Sequence, residues 1–275
     1  MTITEFPGPA TRARRPAVIA LHCSGGTGQH WRHLAQELAP SFEVIAPDLF
    51  GSVGAPSWSG TDPFSLTDEA RRIVTIIDGL LGPVHLVGHS YGGDVAMRVA
   101  LERPTRIANM TLYEPSAFHL LRQSGDAGAK AYAEISDRAR WVCRGIISGN
   151  YRGSVAGFID YWNGPGAWAL APEPIQNELT RWAPKAALDF VSLMNEAAPA
   201  RGYRLLDFPV LILRGAQTPL PTTVIAEQLS KLLPNSVTAV IAGAGHMGPI
   251  THAQEVSSTI VRHIAAMASP EALVA

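Results

Sequence analysis

Cysteine is nearly absent: Cys23 and Cys143 are the two in 275 residues. They lie far apart and make no metal-ligand spacing. One disulfide is compatible with that count, but two free thiols in a reducing compartment are the simpler reading. Charge is also scarce, at 16% of residues with a formal net charge of −1. Such a balance leaves no excess basic surface for phosphate backbones or acidic membranes, so nucleic-acid binding is not expected. No stretch approaches the roughly 18 uninterrupted apolar residues that span a bilayer. The start, Met1 to Arg15, has no apolar h-region and mixes Pro, Gly, Thr and Arg, unlike a secretory signal. Internal repeats and low-complexity tracts are lacking as well. The expectation is a soluble cytoplasmic protein, monomer or homodimer, without a membrane partner.

What is present is apolar. Hydrophobic residues make up 47% of the chain, which suits a compact protein with a sizeable core. Short β-rich runs alternate with segments of helical period, the pattern of a mostly parallel sheet flanked by helices. Strands are expected at Ala17–His22, Phe42–Pro47, Val84–Gly88, Ala108–Tyr113, Pro209–Arg214 and Val237–Ile241. Helices are expected near Gln29–Leu38, Thr67–Leu81, Gly92–Glu102, Val224–Leu233 and Ala253–Met267. From Pro115 to Asp207 no convincing strand appears. This stretch holds Tyr132, Trp141, Tyr151, Phe158, Tyr161, Trp162, Trp168, Trp182 and Phe190. The division that follows is an α/β core over residues 1–115 and 208–275, interrupted by a helical cap over 116–207. Most of those aromatics are expected to form the insertion's own core and the remainder an apolar pocket. Asn163-Gly-Pro-Gly166 reads as a tight loop and a candidate hinge.

Gly88-His-Ser-Tyr-Gly92 fits G-x-S-x-G, with Gly93 following, between an expected strand and an expected helix. So sharp a turn strains the residue at its tip and brings strand end against helix start, where side chains at 88 and 92 would clash. Ser90 is therefore the candidate nucleophile, exposed above the sheet edge near a helix N-terminus. A serine hydroxyl needs an adjacent base. His246, in the Gly-rich run Ala242-Gly-Ala-Gly-His246 after the last strand, is placed to project over the sheet's C-terminal edge. Of the other eight histidines, His85, within a strand, reads as packed or satisfied at the surface. His30, His33, His252 and His263 read as solvated helix positions. His119 reads as lining the insertion's entrance, His89 as pointing away from Ser90, and His22 as shaping its own loop.

Together these pieces resemble the α/β-hydrolase fold family, serine esterase-like members, across nearly the whole chain. Leu21-His-Cys-Ser-Gly-Gly26 with Trp31 resembles that family's oxyanion loop, and Asp48-Leu-Phe-Gly-Ser52 its D-x-x-G-x turn. The resemblance implies backbone N–H donors at Ser24 and Tyr91 for an oxyanion hole. It also exposes two departures. Cys23 stands where the family usually has glycine. Thr218 stands where the family most often has the triad aspartate, and some members carry the acid after the preceding strand, which here points to Glu114. Asp48 and Asp207 are weaker alternatives, Asp48 being expected to fix its own turn.

The implied catalytic set is Ser90, His246 and Glu114, with no metal and no cofactor. The implied function is a carboxylesterase forming an acyl-enzyme with a small to medium apolar ester. Lactone or carbon–carbon bond hydrolysis, cofactor-free perhydrolysis, and a non-catalytic ligand receptor on the same scaffold are the alternatives. Epoxide and dehalogenase chemistry is not expected, because those relatives place aspartate at the nucleophile.

Overall fold

The computed structural model describes residues 3–5 and 15–266. Most of the first fifteen residues, read above as unlike a secretory signal, and Met267, the expected end of the closing helix, lie outside them. Seven strands form one sheet: β1 (Ile3–Glu5), β2 (Ala17–Leu21), β3 (Glu43–Pro47), β4 (Val84–His89), β5 (Ile107–Tyr113), β6 (Val210–Gly215) and β7 (Ser236–Ile241). The order is β1-β3-β2-β4-β5-β6-β7, with β1 antiparallel to β3 and every other pairing parallel. β1 is the one strand that the hydrophobic pattern did not predict.

Around the sheet lie α1 (Arg32–Leu38), α2 (Leu66–Asp78), α3 (Tyr91–Glu102), α10 (Leu220–Leu232), α11 (Gly248–Thr251) and α12 (Ala253–Ala265). Between β5 and β6 come six helices and no strand: α4 (Phe118–Leu121), α5 (Gly125–Ile147), α6 (Tyr151–Asn163), α7 (Ala167–Leu170), α8 (Glu173–Met194) and α9 (Ala200–Tyr203). Among the described residues no helix is long and apolar enough to cross a membrane.

The central strands are near-continuous apolar runs because both faces are covered. Successive side chains point to opposite faces and sort into two cores. Ile19, Leu21, Leu86, Leu112 and Ile212 pack with Ile73 of α2, Val95 of α3 and Ile225 of α10. Val18, Ala20, Val87, Leu211 and Leu213 pack with Leu34 of α1 and Ile260 of α12. β7 is an edge strand, and its Val237 and Val240 are exposed.

The chain runs from β2 outward to β3, then crosses back to lay β4 on the other side of β2. The crevice beyond the C-terminal ends of β2 and β4 is thus a topological switch point, the place where open α/β sheets take ligands. Leu21 pairs with Gly88 there, so the loops opening at His22 and Ser90 emerge side by side.

Candidate active site

Ser90 sits at the N-cap of α3 with φ 53° and ψ −122°. It and Glu114 (φ 43°) are the non-glycine residues with positive φ among those described. Such backbone strain clusters at functional sites. The flanking glycines are required by contact. A Cβ on Gly88 would lie 2.6 Å from the carbonyl oxygen of Gly92, and one on Gly92 would lie 2.4 Å from those of Leu21 and His22. The Ser90 N–H donates to the carbonyl of Tyr113 at 3.0 Å, tying the corner to the end of β5.

Three residues from distant parts of the chain meet at this corner. His246 Nε2 lies 3.0 Å from Ser90 Oγ, and His246 Nδ1 lies 2.7 Å from Glu114 Oε2. Glu114 is fully buried. Burial alone would raise its carboxyl, but hydrogen bonds from His246, Thr218 and the Gly215 N–H outweigh it and hold the group below the usual range. An ionised Glu114 only accepts, so Nδ1 of His246 carries the proton, Nε2 presents its lone pair, and the Ser90 hydroxyl donates to it. Ser116 Oγ lies 3.1 Å from Ser90 Oγ and, with the Ser90 proton committed, is the donor there.

Thr218, at the position where the family most often has aspartate, donates to Glu114 Oε2 at 2.6 Å. Gly215 N–H donates to Oε1 at 2.7 Å. Thus the loop after β6 orients the carboxylate that β5 supplies. Asp207 is exposed ahead of β6, away from this edge. The expectation that Asp48 fixes its own turn is corrected: its Oδ1 accepts the Gly28 N–H at 2.7 Å and holds the loop after β2.

Four histidine expectations change or sharpen. His89 turns its ring to His30 and His246: its Nε2 donates to the His246 carbonyl at 2.8 Å, and the rings of His89 and His246 lie 5.0 Å apart. His30 is half-buried and stacks on His89 at 4.9 Å rather than facing solvent. His119 does not line an entrance; it is buried and hydrogen-bonded to the Tyr203 hydroxyl at 3.0 Å. His22 does shape its loop, donating from Nδ1 to the Cys23 carbonyl at 2.8 Å and accepting the Leu49 N–H at Nε2, 3.0 Å.

Helices between β5 and β6 contribute walls to the site. Trp162 of α6 stacks on His246 with centroids 4.1 Å apart. Ser90 and His246 open into a cavity of about 320 Å³ whose walls include Cys23, Ser24, Phe158 and Trp162. Of the aromatics in this stretch, Trp141 and Tyr151 are exposed. Gly164 and Gly166 both have positive φ in a tight turn between α6 and α7.

A buried ionic cluster joins α8 to α2 beside the site. Lys185 of α8 pairs with Asp189 and, at 3.3 Å, with Glu69 of α2. Asp189 accepts from Ser24 Oγ at 2.7 Å and Glu69 from the Tyr91 hydroxyl at 3.2 Å. The side chains of Ser24 and Tyr91 are thereby anchored to one charged network that joins core and inserted helices. Among the described residues, neither the Ser24 nor the Tyr91 N–H donates to a protein acceptor.

Burial holds His22 near pKa 4 and His89 well below its ordinary 6.5. Both are neutral when folded, and the unfolded chain takes up protons near pH 6.5 that the native state refuses. Stability is therefore fully present above pH 6.5 and is lost as pH falls toward 4, with up to about 1.4 kcal/mol per pH unit from each ring. Asp189, raised by burial to about 6 against pairing with Lys185, works the opposite way over pH 4 to 6. Buried Asp94, also raised, acts with Asp189, whereas His30 and His119, held by burial near 3 and 4, act with His22 and His89, and the imidazoles outweigh the carboxyls. The thermal midpoint is expected to drop steadily between pH 6.5 and 4.5, and a flat midpoint would contradict neutral burial.

A serine held at a strained strand-to-helix corner over the switch point of a parallel sheet, with an imidazole and a carboxylate in line behind it, defines the nucleophile-elbow hydrolase class. The chain belongs to the alpha/beta hydrolase family, whose profile matches residues 18–259. It is 36% identical to lipase LipV of Mycobacterium tuberculosis over 110 residues, 40% of each chain. It is 26% identical over 265 residues to the dihydrolipoyllysine-residue acetyltransferase component of the acetoin cleaving system of Cupriavidus necator, covering 90% of this chain and 63% of that one. These alignments thus span less than two thirds of either relative's length. In three dimensions it resembles a thermophilic esterase from Thermogutta terrifontis, with TM-score 0.74 and 20% identity over 98% of this chain and 94% of that one. That likeness concerns the fold.

Proposed function

We propose that this protein hydrolyses carboxylic esters of small to medium apolar substrates through an acyl-enzyme on Ser90. The observation that supports this most is the unbroken line of hydrogen bonds from Ser90 Oγ through His246 to Glu114, at 3.0 and 2.7 Å. Ser90 attacks the ester carbonyl while His246 Nε2 takes its proton. The imidazolium so formed is balanced by Glu114 and faced by the Trp162 ring. The N–H groups of Ser24 and Tyr91 hold the developing oxyanion, helped by the position of Tyr91 in the first turn of α3. His246 then protonates the leaving alcohol. Water, activated by the same base, releases the acid. Every step uses groups of this chain.

In this reading residues 116–207 act as a cap. Phe158 and Trp162 give the acyl or alcohol group an apolar wall and keep bulk water from the imidazole. A cavity of about 320 Å³ limits the chain that it encloses. A p-nitrophenyl ester series from acetate to palmitate tests this. Turnover is expected to peak at short to medium acyl chains and to fall at least about tenfold for palmitate, roughly the effect of losing 1.4 kcal/mol of transition-state binding. Failure to turn over any member of the series contradicts the ester assignment.

A further inference from the structure

Cys23 is the departure from the family pattern that hydrolysis leaves unused. It is buried, and its Sγ, a ring nitrogen of His30 and a ring nitrogen of His89 all lie within 4.8 Å of one another. The two nitrogens that face each other, His30 Nε2 and His89 Nδ1, are 3.1 Å apart. His89 donates its Nε2 proton to the His246 carbonyl at 2.8 Å, so its Nδ1 carries a lone pair directed into this group. A hydrogen bond from the far nitrogen of an imidazole to a carbonyl is the support that ligating histidines ordinarily have.

We propose that Cys23, His30 and His89 form a binding site for a thiophilic divalent cation such as Zn²⁺ or Cd²⁺, and that its occupancy inhibits the enzyme. A tetrahedral ion with nitrogen ligands at about 2.0–2.1 Å and sulfur at about 2.3 Å sets nitrogens about 3.3 Å apart and nitrogen from sulfur about 3.5 Å. The imidazole pair already meets this spacing, and a torsion of the Cys23 side chain brings the sulfur in by the remaining ångström or so. One thiolate and two imidazoles favour Zn²⁺ or Cd²⁺ over Mg²⁺ or Ca²⁺, which prefer oxygen.

The route in is the substrate cavity, since Cys23 and His30 line it together with Ser90 and His246. The fourth coordination position faces that cavity and takes water. On binding, the Cys23 thiol releases its proton to solvent. The His30 proton moves from Nε2 to Nδ1, and the hydrogen bond between the two rings gives way to two nitrogen–metal bonds. Without metal the thiol is inert as a nucleophile, because burial pushes it up to about 12. Occupancy obstructs the cavity beside Ser90 and clamps His89, which holds the His246 backbone.

The inhibitory half rests on the hydrolytic reading; the binding half does not, and the experiment separates them. The reduced full-length protein is titrated with Cd²⁺ while the ultraviolet thiolate-to-cadmium charge-transfer band is followed. One equivalent should saturate the band. Cys23→Ser should abolish it or weaken binding at least about 100-fold, and His30→Gln at least about tenfold. Cys143→Ser should keep it, as should Ser90→Ala, which needs no turnover. Zn²⁺ should then compete for the site and inhibit p-nitrophenyl ester hydrolysis with the midpoint of that competition. A band absent up to millimolar Cd²⁺, or one that survives Cys23→Ser, overturns the site. Binding without inhibition overturns only the regulatory role.

Discussion

Replacing Ser90 by alanine is expected to lower kcat for p-nitrophenyl esters by at least about 10⁴-fold with KM little changed. The substitution removes one oxygen, whose partners are His246 Nε2 and Ser116 Oγ at 3.0 and 3.1 Å, and leaves the cavity walls in place. Backbone geometry at the corner is set by the N–H bond to Tyr113 and by the glycine contacts, none of which involve the side chain. Folding and binding should therefore survive while covalent chemistry stops. Nucleophile and base act as a unit, so His246→Gln should cost nearly as much alone and add little in the Ser90→Ala background. Steady-state kinetics on the two single variants and the double variant test this. Ser90→Ala with more than about one per cent of wild-type kcat would remove the acyl-enzyme account, because a surviving oxyanion hole and cavity supply far less than that.

How much of this was readable in advance depends on the range of the interaction. The six parallel strands were legible because each is a short apolar run bounded by turn residues, and the core helices because their apolar residues recur at helical spacing. The elbow was legible because its glycines are demanded by contacts within a few residues. His246 was legible from its place in a Gly-rich loop at a strand end. Cys23 and Thr218 drew notice only as departures from a family pattern. What remained hidden depends on segments that meet solely through the fold. His89 is next to Ser90 in sequence, yet its ring reaches the carbonyl of a residue 157 positions away. Lys185 reads as a polar helix position, and only the folded chain surrounds it with Glu69 and Asp189. Trp162 is one of eleven aromatics between Pro115 and Asp207, and nothing local distinguishes it as the ring that stacks on His246. β1 escaped because three residues carry no measurable alternation.

Glu114→Gln should lower kcat by about 10³-fold and alter the pH dependence of what remains. The wild-type carboxylate accepts from His246 Nδ1 and Thr218 at Oε2 and from the Gly215 N–H at Oε1. A glutamine amide fits the same space and presents one oxygen and one NH₂ group. The Gly215 N–H fixes the oxygen at the Oε1 position, which turns the NH₂ toward His246 and Thr218. Donor then meets donor at Nδ1, so the imidazole is driven to the tautomer that carries its proton on Nε2 and points it at Ser90. The base is lost without moving an atom far. Thr218→Val makes the comparison quantitative: it removes one donor to Glu114 and keeps the charge, so it should cost about 10- to 100-fold, in line with roughly 1.5–3 kcal/mol for one hydrogen bond to a charged group. The ranking Glu114→Gln far below Thr218→Val is the result to look for, measured as kcat/KM across pH. If Glu114→Gln is as active as the wild type, the acid lies elsewhere and the short bond at His246 Nδ1 is structural. If Thr218→Val is the more damaged of the two, the loop after β6 carries the catalytic role despite having no carboxylate.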